Sequence, residues 1–154
     1  MFTEENFKKI EELKKKYPKT NSLMLPVLWI AQEQFGWISN ETMKYISELL
    51  NVHIGEVYAV ATFYTMYNLK PRGKYHLQVC TNVSCMLRDS ENILKKICHL
   101  KNIKLNETTE DKKFTLTEVE CLGSCGSAPM MQINNDYYEN LTVEKIETIL
   151  NELK

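Results

Sequence analysis

Four cysteines fall in two pairs, Cys80 with Cys85 and Cys121 with Cys125, spaced C-x4-C and C-x3-C. Thirty-five residues separate the pairs. Each pair follows a β-prone run. Tyr75, Leu77 and Val79 alternate with His76, Gln78 and Cys80, which is a strand period. Phe114 to Glu120 is also β-prone, although its alternation is imperfect. Two strands that each end in a loop bearing two thiols constrain the fold. Only neighbouring strands bring both loop tips to one end of a sheet.

The chemistry of such a constellation is limited. A [2Fe-2S] centre takes two thiolates on each iron and leaves the site negatively charged, so it needs compensating dipoles nearby. Gly123 and Gly126 let the second loop turn backbone N–H groups toward sulfur. Thr81, Asn82, Ser84 and Ser124 are short enough to donate further hydrogen bonds, and Pro129 stiffens the way out of the loop. A structural four-cysteine zinc site is the alternative, although zinc ribbons mostly use C-x2-C. A dithiol oxidoreductase would want C-x-x-C at a helix start, which is absent. Four unrelated buried thiols would not be flanked by Gly, Ser and Pro. Cys98 stands apart beside Ile97 in a helical stripe and reads as a small buried hydrophobe. His53, His76 and His99 share no metal-ligand spacing and read as structural or surface residues.

Composition narrows the class. Nineteen basic and twenty acidic residues nearly cancel, which gives no footprint for nucleic acid or an anionic membrane. The longest apolar run, Leu23 to Ala31, is nine residues and holds Pro26, against roughly 20 for a membrane span. The first residues, Met-Phe-Thr-Glu-Glu-Asn, resemble neither a signal peptide nor a transit peptide. The expectation is an intracellular chain, or a mature form already trimmed, whose thiols stay reduced. No G-x-G occurs, so neither a dinucleotide turn nor a phosphate loop is present.

Around the cysteines the chain divides. Residues 1–70 read as a helical bundle. Thr3 caps a helix with Phe7, Ile10, Leu13 and Tyr17 on one face, ended by Pro18. Ser22 precedes a second helix over Leu23 to Phe35, stopped by Gly36, with Pro26 in its first turn or at a kink. Ser39 caps a third with Met43, Ile46, Leu49 and Leu50. A fourth carries Val57, Val60, Ala61 and Tyr64. Pro71-Arg72-Gly73 marks the boundary. Residues 71–154 read as β-α-β-β-β-α: the Tyr75 strand, a helix capped by Ser90, a loop from Lys101 to Lys113, and the Phe114 strand. A hairpin over Met130 to Tyr138 and a last helix capped by Thr142 follow. The fold class is α+β, a helical bundle followed by a thioredoxin-like α/β domain with a small mixed sheet.

At this point a resemblance becomes specific. Asp111-x-x-Phe114-Thr115, then Cys121-Leu-Gly-Ser-Cys125-Gly-Ser-Ala128-Pro129, resembles the signature of the thioredoxin-like [2Fe-2S] subunit of NADH:quinone oxidoreductase, respiratory complex I. Val79 to Arg88 is similar to that family's first cysteine segment, and Val57 to Met66 to its preceding helix. Tyr17-Pro18, Leu25 to Trp37, Met130 to Asn134 and Asp136 to Glu139 also fit. Asp89 departs, since members often carry Gly there. The resemblance implies one [2Fe-2S] cluster on Cys80, Cys85, Cys121 and Cys125, no catalytic residue in this chain, and docking through residues 1–70. It also implies a flavoprotein partner that binds FMN and NADH and has its own iron–sulfur cluster, with further electron-transfer subunits beyond it. The expected location is cytoplasmic and peripheral to the inner membrane in a bacterium, or the mitochondrial matrix. The same module occurs in NAD-linked hydrogenases and formate dehydrogenases.

Overall fold

A computed structural model describes residues 1–153 of the chain. It separates into two compact units, Met1–Pro71 and a second that begins at Arg72.

The first unit is helical throughout. Helix α1 (Glu4–Lys16) starts where Thr3 Oγ1 accepts from the Asn6 N–H, at 3.3 Å. Its first turn holds Glu4 and Glu5 and its last Lys14 to Lys16, so the charges complement the helix dipole. Helix α2 (Met24–Phe35) is the apolar spine, with Val27, Leu28 and Ala31 buried. Pro26 lies in its first turn, where the missing N–H would have had no partner in the helix. Gly36 closes α2 at φ 80°, a left-handed position that suits glycine. Ser22 caps nothing: it lies in a 3₁₀ turn, Thr20–Leu23, that leads straight into α2. Helix α3 (Asn40–Leu50) is capped by Ser39 and ends on left-handed Asn51.

Helix α4 (Ile54–Phe63) uses His53 as its cap, the imidazole Nδ1 accepting from the Gly55 N–H at 3.1 Å. Val57 and Ala61 are buried on its inner face, but Tyr64 falls one residue past its end and is exposed. Tyr67 then turns inward. Its hydroxyl donates to the Leu25 carbonyl at 2.8 Å, and burial pushes its pKa up to about 12. Ile10, Leu28, Ile46, Leu50 and Val57 form the centre of this core.

The second unit is built on one mixed sheet of β1 (Tyr75–Cys80), β2 (Phe114–Val119), β3 (Met131–Ile133) and β4 (Asp136–Tyr138), in the order β2-β1-β3-β4. Strand β1 runs parallel to β2, and Cys80 is level with Val119. Strands β3 and β4 form the hairpin, with β3 antiparallel to β1 and Val79 level with Met131. Leu77 and Val79 project from one face of β1 into a core with Ile93 and Ile97 of α6 (Ser90–Lys101) and Ile146 and Leu150 of α7 (Val143–Glu152). A Lys96–Glu147 ion pair joins these two helices at the surface. The opposite face of β1 carries His76, Gln78 and Cys80.

The start of α6 and the stretch after Asn102 differ from the sequence reading. Ser90 is not the cap of α6. It is the first helical residue, and Asp89 precedes it at φ 75°. Glycine is the residue that takes this backbone without strain, which gives a physical sense to the departure at Asp89. The stretch after Asn102 is also more than a loop. It folds back along the outer edge of β2, with Thr109 N–H donating to Phe114 O at 2.8 Å and Leu116 N–H to Glu107 O at 3.1 Å. That cover explains the imperfect alternation of β2, whose residues Phe114 to Thr117 are all buried.

Candidate metal centre

The register of β1 and β2 decides where the thiols meet. Parallel strands end at the same edge of a sheet, and here both ends lead into a cysteine-bearing loop. Cys80 is the last residue of β1, and Cys121 lies two residues beyond β2. Strand β3 returns the second loop to the same edge, where the Cys80 N–H donates to Met130 O at 3.2 Å. Cys85 sits in α5 (Val83–Met86), a single turn capped by Asn82, whose Oδ1 accepts from the Val83 N–H at 2.7 Å. Cys125 opens a 3₁₀ turn, Cys125–Ser127.

The site is half closed. Cys80 and Cys85 are buried with Ala128 and Met130, while Cys121 and Cys125 are exposed. All five cysteines are free thiols. Burial is the largest influence on Cys85 and pushes its pKa up to about 11. The hydrogen bond with Cys80 adds to the rise, a backbone hydrogen bond from Met130 opposes it, and Cys80 and Cys125 act through their charge. These interactions place Cys85 beside Cys80 and within electrostatic reach of Cys125. At the outer rim the Gly123 N–H donates to Cys121 Sγ at 3.3 Å, and Gly123 reaches this pose at φ 78°.

Four thiols on two loops are the donors that either an iron–sulfur or a zinc centre takes. Cys85 lies within electrostatic reach of both Cys80 and Cys125, and Cys121 lies two residues beyond β2. Among the described residues, no three His, Cys, Asp or Glu side chains gather closely enough to hold a single ion. A closed tetrahedral zinc site asks for four donors on one ion. A [2Fe-2S] centre asks for four thiolates, two on each iron.

Two of the hydroxyls expected to donate to sulfur, those of Thr81 and Ser124, are engaged elsewhere. Thr81 Oγ1 donates to Glu118 at 2.7 Å, whereas the α5 cap uses the Asn82 Oδ1 as an acceptor. Ser124 donates to Glu139. Gly126 sits in the 3₁₀ turn with no left-handed φ. Of the expected dipoles, the backbone at Gly123 is the one that the structure aims at a sulfur.

Comparison with known proteins places this geometry. The family pattern for thioredoxin-like [2Fe-2S] ferredoxin matches residues 10–154. The chain belongs to the thioredoxin-like [2Fe-2S] ferredoxin family. It is 50% identical over 157 residues to a protein of Rickettsia conorii named as an NADH-quinone oxidoreductase subunit, covering 99% of this chain and 93% of that one. It is 45% identical over 156 residues to the mitochondrial NADH dehydrogenase [ubiquinone] flavoprotein 2 of Dictyostelium discoideum, covering 99% of this chain and 63% of that one. A crystal structure of an NAD+-reducing [NiFe]-hydrogenase in the air-oxidized state shares the fold, with a TM-score of 0.76 at 19% identity. The match covers 85% of this chain and 22% of that one.

Within this ferredoxin family frame, the remaining candidates take ordinary places. Cys98 is half-buried on α6 against the second core, and burial raises its pKa. His53 caps α4, and His76 bonds across β1 to Thr117 at 2.8 Å. Sequence reasoning missed three residues that brace the cysteine loops. Arg88 Nη1 donates to Ala128 O at 3.2 Å, Tyr137 Oη donates to Leu122 O at 2.9 Å, and Glu139 accepts from Ser124 and Ser127. Their signal in the sequence is that each lies in a segment that carries the family resemblance, Val79 to Arg88 or Asp136 to Glu139.

Proposed function

We propose that Cys80, Cys85, Cys121 and Cys125 hold one [2Fe-2S] cluster and that the chain is the electron-transfer subunit of an NADH dehydrogenase module. The observation that carries this reading is the convergence of both cysteine pairs at the shared end of β1 and β2. It is supported by full-length similarity to relatives named for NADH-quinone oxidoreductase. A cluster bound there would accept and release single electrons. The chain's own residues hold it with four thiolates, aim the Gly123 dipole at one sulfur, and shield Cys80 and Cys85 from water. Water stays at the Cys121 and Cys125 side, and exposure of this kind is one of the factors that set the potential of such a centre.

The electron partner in this proposal is a flavoprotein that binds FMN and NADH and carries its own iron–sulfur cluster, with further electron-transfer subunits after it. The first unit supplies the docking element. Ile54, Tyr58, Phe63, Tyr64 and Met66 leave an exposed apolar face on and just after α4, more than a lone helix in water needs. Among the described residues no helix is long and apolar enough to cross a membrane. The chain then works at the cytoplasmic face of the inner membrane in a bacterium, or in the matrix of a mitochondrion, through the complex it joins.

Purification without oxygen tests the reading. Two irons and two sulfides per chain, a brown-red colour and an S = 1/2 EPR signal on reduction are expected. The isolated chain should not bind NADH in calorimetry, and NADH should reduce it only when the flavoprotein is added. One zinc and no sulfide would overturn the assignment.

A further inference from the structure

The loop that carries Cys125 is held from outside by one carboxylate. Ser124 and Ser127 flank the 3₁₀ turn, and both hydroxyls converge on Glu139 Oε1. Ser124 is in close contact with it, and Ser127 donates at 2.6 Å. The two hydroxyl oxygens are themselves 2.7 Å apart. The two serines draw the Glu139 carboxyl below its usual range, Ser124 first and Ser127 second. The next residue continues the clasp, since the Asn140 N–H donates to Ser127 O at 2.7 Å.

A serine hydroxyl has one proton to give. Ser124 precedes Cys125 directly, so a hydroxyl not held by Glu139 would be free to turn toward that sulfur. Glu139 takes it. Hydrogen bonds to cluster sulfurs are among the main settings of iron–sulfur potentials.

We infer that Glu139 is a positioning residue for the centre: it fixes the Ser124–Ser127 turn and keeps the Ser124 hydroxyl turned away from the cysteine sulfurs. This rests on the cluster assignment above. Glu139 is exposed, so water and salt screen its bare charge. The orientation of the hydroxyls carries the larger share of the effect. A freed Ser124 hydroxyl turned toward sulfur makes the centre easier to reduce.

The test uses the full chain, purified with its cluster, and Glu139→Ala, Ser124→Ala with Ser127→Ala, and the triple combination. Iron and sulfide are counted for each, the midpoint potential is read by EPR-monitored titration, and backbone exchange across residues 121–130 is followed by mass spectrometry. Glu139→Ala is expected to keep its iron and sulfide, to titrate at a higher potential and to exchange at least about tenfold faster in this loop, the factor that a charge-assisted hydrogen bond corresponds to. The serine double variant should titrate close to the parent, because the hydroxyls it lacks face Glu139 and not sulfur in the parent. In the triple variant the potential should fall back from that of Glu139→Ala. An unchanged potential and unchanged exchange in Glu139→Ala would overturn the inference, as would a triple variant that titrates with Glu139→Ala. A parent chain without iron and sulfide would defeat the cluster assignment instead, and exchange in the loop would then decide the positioning role alone.

Discussion

His76 Nε2 lies 2.8 Å from the Thr117 hydroxyl, so the imidazole bridges the two parallel strands that lead to the cysteine loops. Burial, and then the nearby charge of Arg72, push the pKa of His76 down to about 4 from 6.5. The unfolded chain therefore binds a proton between these values that the folded chain refuses. Stability from this group is complete above the unfolded pKa of 6.5 and is lost as pH falls toward about 4. The loss is at most about 3 kcal/mol by the one-unit conversion. Urea unfolding at pH 7 and pH 5 should show this decline in the parent chain, and His76→Gln should flatten it. Equal slopes for both chains would exclude His76 as the source.

The fifth cysteine separates from the four by environment. Cys98 packs half-buried against the second core on the helix side of the sheet, away from the loop edge. Cys98→Ala should keep the full visible spectrum and cost roughly 1 kcal/mol of packing. Cys121→Ala should lose or badly destabilise the centre. A colourless Cys98→Ala protein with normal folding would show the ligand set to be wrong.

Two left-handed positions predict opposite signs. Asp89 is at φ 75°, and its Oδ1 accepts from Asn92 Nδ2 at 2.8 Å. Glycine relieves the backbone and loses this exposed hydrogen bond, so Asp89→Gly should stabilise by about 0.5–1 kcal/mol. Gly123 is at φ 78° with open space around it, so a methyl group meets no neighbour and the cost is backbone strain alone. Gly123→Ala should destabilise by about 1–2 kcal/mol. Thermal melts of the two variants settle the comparison, and a shift of the same sign in both would refute the backbone argument.

The two units have separate cores, one centred on Ile10, Leu28 and Ile46 and the other on Leu77, Leu116 and Ile146. Deleting Met1 to Leu69 should leave a folded domain that still carries the cluster. Circular dichroism and iron content would read the first property. Affinity for the flavoprotein should fall sharply, and unchanged affinity would remove the docking role from the helical unit.

Much of this architecture was legible in residue order, and the exceptions have physical reasons. Thr3, Ser39 and Thr142 each precede a 3.6-residue apolar stripe, and each side chain accepts the expected backbone N–H. The strand at Tyr75 and the hairpin at Asn134 follow from alternation and a turn that tolerates positive φ. Helix α5 was missed because four residues are too few to show a period. Ser90 looked like a cap, but capping depends on the backbone angle at Asp89, which no side-chain pattern announces. The burial of Thr115 and Thr117 on β2 depends on Gly73, Thr108 and His76, partners that alternation within the strand does not show. At the cysteines, composition pointed to small polar donors. Which acceptor each one chooses depends on Glu118 and Glu139, both distant in sequence from the hydroxyls they hold.

The unequal burial of the thiols gives the centre a front door. Any reagent, whether an oxidant, a chelator or a donor of iron, meets Cys121 and Cys125 before it reaches Cys80 and Cys85 behind them. Assembly and damage then follow one route in opposite directions. In the proposed centre the inner pair is the last to be attacked, and wear runs from the outside in.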